Sequence, residues 1–171
     1  MSFVVVVHYV SGITCLDNKL YVVYWSSHTI RVFTSDSLSK VSVITVAGLQ
    51  DPEDIVACHD DHQLYVIDIH SFIMRVSAMN PSDQEMWLTG DSEVYGFHTL
   101  SLRSRRLLVT SPQSGSLRQY STTDRQLLRV IKFPDSVVVL NHAVETTRGT
   151  FVICHGEPSS AVSELFSFIS C

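Results

Sequence analysis

The stretch KLYVVYWSSHTIRVF (19–33) returns in altered form as QLYVIDIHSFIMRVS (63–77). Both stretches contain the tripeptide LYV, and Leu64 lies 44 residues after Leu20. Each copy holds two short runs of β-branched and aromatic residues separated by polar residues, a pattern that predicts two consecutive strands. Self-similarity at a fixed period of this length is the signature of a repeat architecture.

Two further copies follow at nearly the same spacing. RLLVTSPQSGSLRQY (106–120) places Leu107 43 residues after Leu64, and TFVICHG (150–156) places Phe151 another 44 residues on. Each full copy contains four short apolar runs bounded by turn residues; in the second copy they are DIVAC, QLYVID, FIMRVS and EMWLTG. No segment sustains a helical period. Four strands in about 40–45 residues are typical of one propeller blade.

The sequence therefore predicts an all-β protein, a β-propeller built from about four four-stranded antiparallel blades in a single domain. The predicted blades span approximately 12–48, 54–90, 94–133 and 142–171, and a further strand is predicted at 3–9. The fourth copy lacks a fourth strand, which the strand at 3–9 would supply in a small closed ring. In the alternative, the four blades are an arc of a larger propeller.

Composition and charge narrow the class of protein. Hydrophobic residues make up 45% of the chain, which excludes a disordered tail, and 17 acidic against 12 basic residues leave a net charge of −5. This balance argues against a general phosphate-binding surface. No apolar run is long enough to span a membrane, the N-terminus lacks the features of a signal peptide, and the four cysteines lack framework spacing. We therefore expect a cytoplasmic protein.

Three features give the repeat a family resemblance. DPEDI (51–55) precedes a strand, LYVID (64–68) forms the next, and an Ile-or-Met-Arg-Val strand follows, while Pro134 repeats the proline element. Together they resemble the NHL repeat, of the six-bladed, WD40-like propeller group. Asp68 closes the second strand of its copy, and the other copies have Tyr24, Ser111 and His155 there. The resemblance implies a platform for proteins or peptides, with RNA binding or calcium-dependent hydrolysis in a minority of such propellers.

No catalytic motif accompanies the repeat, and no G-x-S-x-G, Walker or dinucleotide pattern is present. We therefore predict a non-catalytic scaffold that binds a protein or peptide and needs no cofactor. The alternatives are a calcium-dependent hydrolase on a six-bladed propeller and an RNA-binding NHL-like module. Nucleic acid is the less favoured partner because of the acidic charge. Self-association is expected if the propeller is open.

Three arginines are the candidate binding residues. Arg31, Arg75 and Arg118 align at one position of three copies, where they could grip phosphate or an acidic peptide. A repeated position also fits a structural role, in which each arginine pairs with an acid between blades.

The segment ACHDDHQLYVIDIH (57–70) contains the candidate metal ligands, His59 and His62. Both fall in the turn before the second strand of their blade, and the turns of the other copies have no such histidines. Zinc sites usually draw on four ligands, and no complement is evident, so the aspartates and histidines are better explained as turn residues. Trp25 and Trp87 are expected to pack between blades.

Overall fold

The computed structural model describes residues 9–90, 99–111, 116–133, 140–155 and 164–169, with only the backbone described for Ser111, His155 and 164–169. These residues form fifteen strands and no helix. The strands make four antiparallel sheets, three of four strands and one of three, each ordered along the chain. We name the sheets blades 1 to 4.

The strands that form blade 1 are β1 (Val10–Leu16), β2 (Lys19–Tyr24), β3 (Thr29–Thr34) and β4 (Lys40–Thr45). Blade 2 consists of β5 (Pro52–Cys58), β6 (Gln63–Asp68), β7 (Phe72–Ser77) and β8 (Gln84–Thr89). In blade 3 the strands are β9 (Thr99–Arg103), β10 (Arg106–Ser111), β11 (Ser116–Ser121) and β12 (Leu127–Lys132). Blade 4 has β13 (Leu140–Glu145), β14 (Thr150–His155) and β15 (Glu164–Ile169) within the described residues.

The start of blade 3 differs from the prediction, and the predicted strand at 3–9 is not tested. Blade 3 was predicted to begin at residue 94; its first strand runs over Thr99–Arg103, and residues 94–98 lie outside the described residues. Its end is set by a two-residue turn at Ser104 and Arg105, whose φ angles of 46° and 59° suit a tight hairpin. The predicted strand at 3–9 lies outside the described residues except for Tyr9. The Tyr9 carbonyl accepts a hydrogen bond from the Trp25 N–H at 2.9 Å, which extends the β1–β2 pairing by one residue.

The first strands of the blades lie side by side. β1 contacts β5, β5 contacts β9, and β9 contacts β13, so these strands form the inner edge of the array. Among the described residues β13 makes no contact of comparable extent with β1. Within the described ranges the four sheets therefore form an open arc, as expected for the second of the two predicted propellers.

A hydrophobic core fills each boundary between consecutive blades, because each sheet is apolar on both faces. Tyr21, Val23 and Ile30 of blade 1 pack against Leu64 and Val66 of blade 2. The core between blades 2 and 3 joins β6, β7 and β8 to β9, β10 and β11. The core between blades 3 and 4 joins β10 and β11 to β13 and β14. The alternation of residues along each strand thus supplies one face to each neighbour.

Gly12 allows the first two inner strands to approach closely. A Cβ atom at Gly12 would lie 2.8 Å from the Ile55 amide nitrogen and 2.9 Å from the Asp54 Cα. Both atoms belong to the backbone of β5, so neither can turn aside as a flexible side chain would. Glycine is therefore required where β1 and β5 meet.

Because Tyr65 is fully buried, the free energy of unfolding should fall at alkaline pH. Burial raises the pKa of the Tyr65 phenol from its ordinary value of 10.0 to about 12. The folded protein keeps this proton at pH values where the unfolded chain loses it, so the stability contributed by Tyr65 falls as pH rises from 10 to 12. We expect a loss of about 2–3 kcal/mol over this range. Urea unfolding at stepped pH measures it.

The matched variant is Tyr65→Phe, which keeps the ring and removes the ionisable group. Its unfolding free energy should fall less steeply above pH 10 than that of the wild type. The pKa of Tyr21 is also raised by burial, so some alkaline dependence remains in this variant. Identical slopes in the two proteins would show that the Tyr65 phenol does not titrate with unfolding.

Candidate functional site

The inner strands of all four blades converge on one cavity of about 410 Å³, which we call the axial cavity. Its wall is formed by Ile13 and Thr14 of β1, Asp54–Ala57 of β5, His59, Leu100–Leu102 of β9, and His142 of β13. Both polar and apolar residues line the wall, so it offers both kinds of contact. A cavity where several blades meet is the place where a propeller brings together residues that are far apart in sequence.

Asp54 fastens two inner strands at the wall of this cavity. Its Oδ1 accepts a hydrogen bond from the Ile55 N–H at 2.8 Å, and its Oδ2 accepts one from the Leu100 N–H of β9 at 2.8 Å. Burial raises the pKa of the Asp54 carboxyl above its usual value, while these two N–H donors and the nearby His142 act in the opposite direction. Because both oxygens already accept bonds, Asp54 mainly holds the wall together.

The position of Asp54 recurs in the other blades. Strand pairing places Gly12, Thr99 and His142 at the equivalent point of β1, β9 and β13. The Thr99 hydroxyl donates to the Asn141 carbonyl of β13 at 3.2 Å, so this threonine also joins its strand to the next inner strand. In β1, where glycine has no side chain, the adjacent Ser11 hydroxyl donates to the Pro52 carbonyl of β5 at 2.6 Å. His142 ends the series with an exposed side chain.

The two candidate metal ligands do not share a site. The exposed His59 lines the axial cavity. His62 has φ = 51° in the same turn, and its Nδ1 lies 2.7 Å from Oδ2 of Asp17 in the corresponding turn of blade 1. Within the ranges the structure describes, no group of three or more His, Cys, Asp or Glu side chains is arranged to hold a metal ion.

The two aspartates between these histidines join blade 2 to blade 3. Arg105, in the matching turn of blade 3, lies 2.8 Å from Oδ1 of Asp61 and 3.6 Å from Oδ2 of Asp60. The Cys58 thiol donates to Oδ2 of Asp61 at 3.7 Å, and burial raises the pKa of this thiol. The turn HDDH thus makes a hydrogen bond to blade 1 and ion pairs with blade 3.

The same row of contacts continues from blade 3 to blade 4. The almost completely buried Glu145 carboxylate accepts a bond from the Arg106 guanidinium at 2.8 Å and another from the Gln119 amide at 2.9 Å. A buried carboxylate is tolerated when each oxygen has a donor of this kind. Polar contacts between neighbouring blades therefore accompany all three described boundaries.

Strand pairing does not keep the three candidate arginines at one position. Arg31 lies opposite Val22, and Arg118 lies opposite Val109, which is the equivalent of Val22 in blade 3. The residue at this position in blade 2 is Met74, not Arg75. The turn between β6 and β7 has one residue fewer than the turn between β2 and β3, and a shift of one residue turns a side chain to the other face of the sheet.

Each arginine consequently has its own surroundings. The Arg31 guanidinium lies over the Tyr24 ring, 4.3 Å from its centroid. Arg75 forms ion pairs with Glu85 at 2.8 Å and Asp83 at 3.4 Å, on the opposite face of its sheet. Arg118 is partly buried on β11. The structure does not bring the three together as one ring of positive charge.

Of the residues that line the axial cavity, only His59 was singled out from the sequence, and the position shared by Asp54, Thr99 and His142 was missed. Asp54, Thr99 and His142 differ in type, so no repeated letter marks their shared position. Their shared position becomes visible when the first strand of each blade is paired with the second strand. This pairing requires the length of the turn between the two strands.

Comparison with known proteins supports the fold and does not assign a family. No protein family and no curated protein sequence matches the chain. Among solved structures, the chain is similar to hydrazine synthase of Kuenenia stuttgartiensis, with a TM-score of 0.71 and 14% identity over 92% of this chain and 45% of that one. It is also similar to the WD40 β-propeller domain of Doa1, with a TM-score of 0.67 and 15% identity over 86% of this chain and 48% of that one.

A third similar structure comes from a nidogen/laminin complex, with a TM-score of 0.58 and 14% identity over 68% of this chain and 43% of that one. The chain therefore spans slightly less than half the length of each of these three chains. In the part of the chain that the structure describes, no helix has the length and hydropathy needed to cross a membrane. At these identities the likenesses concern architecture alone, and they show that the chain has a β-propeller-like fold.

Proposed function

We propose that this chain is a non-catalytic interaction module of the NHL- or WD40-like kind, which binds a segment of a protein or a peptide in the axial cavity. The observation that carries the proposal is the convergence of all four inner strands on one cavity of about 410 Å³. A cavity of this size suits a few side chains of an extended peptide better than a whole folded surface.

The chemistry of the wall supports a peptide ligand. Thr14, Ser101, His59 and His142 bring hydroxyl and imidazole groups to the lining, while Ile13 and Leu102 bring apolar surface. Imidazoles and hydroxyls both donate and accept hydrogen bonds, so they can satisfy the backbone and polar side chains of a peptide. Because Asp54 is occupied by two backbone N–H groups, the histidines are the side chains best placed to select a ligand.

Selection from a phage-displayed library of linear peptides tests this proposal. The wild-type chain is the bait, and an enriched peptide is then synthesised and its affinity measured by fluorescence anisotropy. We expect His59→Ala or His142→Ala to weaken binding roughly tenfold, because each removes a hydrogen-bonding group from the wall.

The control is His28→Ala, which removes an exposed histidine from the turn between β2 and β3, outside the axial cavity. Its affinity for the peptide should equal that of the wild type. The proposal is wrong if no peptide is enriched over beads without bait, or if both cavity variants bind every enriched peptide as tightly as the wild type does. A cytoplasmic location stays a prediction from the sequence.

A further inference from the structure

On the face of blade 1 that points away from blade 2, no residue that the structure describes covers Val10 and Ile13, whose equivalents in the other blades are buried. Ile13 of β1 is 58% exposed, whereas the equivalent Ile55, Leu100 and Ala143 are 1%, 2% and 1% exposed. Each of these three is covered by the blade that precedes it. Val10 is likewise exposed, while the equivalent Leu140 is completely buried. We call this surface of blade 1 the leading face.

The face of blade 4 that points away from blade 3 also has residues that are less buried than their equivalents in another blade. Val152 and Cys154 of β14 are half-buried, although their equivalents in blade 2, Tyr65 and Ile67, are fully buried by the following blade. We call this surface the trailing face. A leading face and a trailing face are the two halves of the interface that the chain builds at each of its three described boundaries.

We propose that the leading face of one copy of this chain docks on the trailing face of a second copy, so that two chains close a ring with twofold symmetry. A head-to-tail contact leaves both ends unsatisfied unless rotation closes the ring, and a pair of arcs achieves this with two identical interfaces.

The hydrogen bonds between inner strands also support a second copy of the chain as the partner. At two of the three boundaries, the residue at the Asp54 position bonds to the next inner strand, through Asp54 to Leu100 and through Thr99 to Asn141. His142 holds this position in β13, and the strand that would follow it in a closed ring is β1 of the second copy. A paired arc would also place the axial cavities of both copies around one axis.

Sedimentation velocity of the unliganded chain over a range of micromolar concentrations tests the inference. We expect the wild type to form a dimer and Ile13→Glu to raise its dissociation constant roughly 100-fold or more, because the carboxylate would be buried without a partner. Val152→Lys should act in the same way from the trailing face. The control is Leu38→Glu, which adds the same charge at an exposed position in the turn between β3 and β4 and should leave the dimer intact.

Mixing the two variants separates this arrangement from any other dimer. A mixture of Ile13→Glu and Val152→Lys chains should dimerise again, since each mixed pair contains one interface of wild-type composition. A symmetric contact of leading face with leading face predicts no such recovery. A wild type that stays monomeric, a dimer that survives Ile13→Glu, or open-ended polymers would each overturn the inference. Circular dichroism of every variant checks that it is folded, and none of these measurements involves a peptide.

Discussion

Replacing Trp87 by alanine should lower the free energy of unfolding by about 3–5 kcal/mol, the usual cost of deleting a large buried aromatic side chain. Trp87 is only 3% exposed although it lies on β8, the outermost strand of blade 2. Its ring meets Tyr65 edge-on at a centroid distance of 5.1 Å and Tyr120 of blade 3 at 6.3 Å. The variant therefore loses apolar burial and two aromatic pairs at one blade boundary.

The chain contains a matched control for this variant. Trp25 lies in the turn between β2 and β3 with 40% of its surface exposed, so it does not pack between blades as the sequence suggested. Trp25→Ala should change the unfolding free energy by no more than about 0.5 kcal/mol. Urea unfolding followed by circular dichroism compares the two variants without relying on tryptophan fluorescence. If Trp87→Ala loses no more unfolding free energy than Trp25→Ala does, the packing of Trp87 at the boundary between blades 2 and 3 contributes little to stability.

The contrast between the tryptophans shows what the repeat could and could not reveal. The spacing of LYV-like runs at 44, 43 and 44 residues predicted the second and third strands of each blade, because strand patterning is a local property. The place of a residue relative to the neighbouring blade is not local. Trp25 and Trp87 both stand beside apolar runs, yet only Trp87 lies on a strand that faces another blade.

Turn length limited the prediction of the candidate site. The sequence aligned Arg31 with Arg75 without a gap, and a turn shorter by one residue was enough to put them on opposite faces of their sheets. The shared position of Asp54, Thr99 and His142 was missed for the same reason, because it also depends on the lengths of turns. Side-chain contacts such as that of His62 with Asp17 could not be foreseen either, since the partners are 45 residues apart and belong to different turns.

Asp68 illustrates a motif residue whose role the structure defines. The carboxylate is fully buried at the end of β6. Its Oδ2 accepts bonds from the N–H groups of Gln50 and Asp51 at 2.8 and 2.9 Å, and its Oδ1 accepts one from the His70 N–H at 3.0 Å, with the His70 Nδ1 at 2.6 Å. One side chain thus ties the segment that leads into β5 to the turn between β6 and β7.

Asp68→Ala should lower the free energy of unfolding by about 3–5 kcal/mol, because it leaves several N–H donors without an acceptor in a buried site. Asp68→Asn has nearly the same shape but offers only one acceptor oxygen, and its NH₂ group would face donors. We therefore expect asparagine to recover less than half of the loss. Asp36→Ala is the control: this aspartate is exposed and accepts a bond from the neighbouring Ser37 N–H at 2.7 Å, so its removal should cost no more than about 1 kcal/mol.

Hydrogen exchange gives this last prediction a local readout. In Asp68→Asn the amides of Gln50 and Asp51 should exchange faster, whereas the Leu100 amide, which is held by Asp54, should keep its protection relative to global stability. Faster exchange at these two amides would show that Asp68 holds the segment that leads into β5, a strand of the axial-cavity wall. An asparagine variant as stable as the wild type, with unchanged exchange at these two amides, would mean that the charge of Asp68 is dispensable and that shape alone holds the segment.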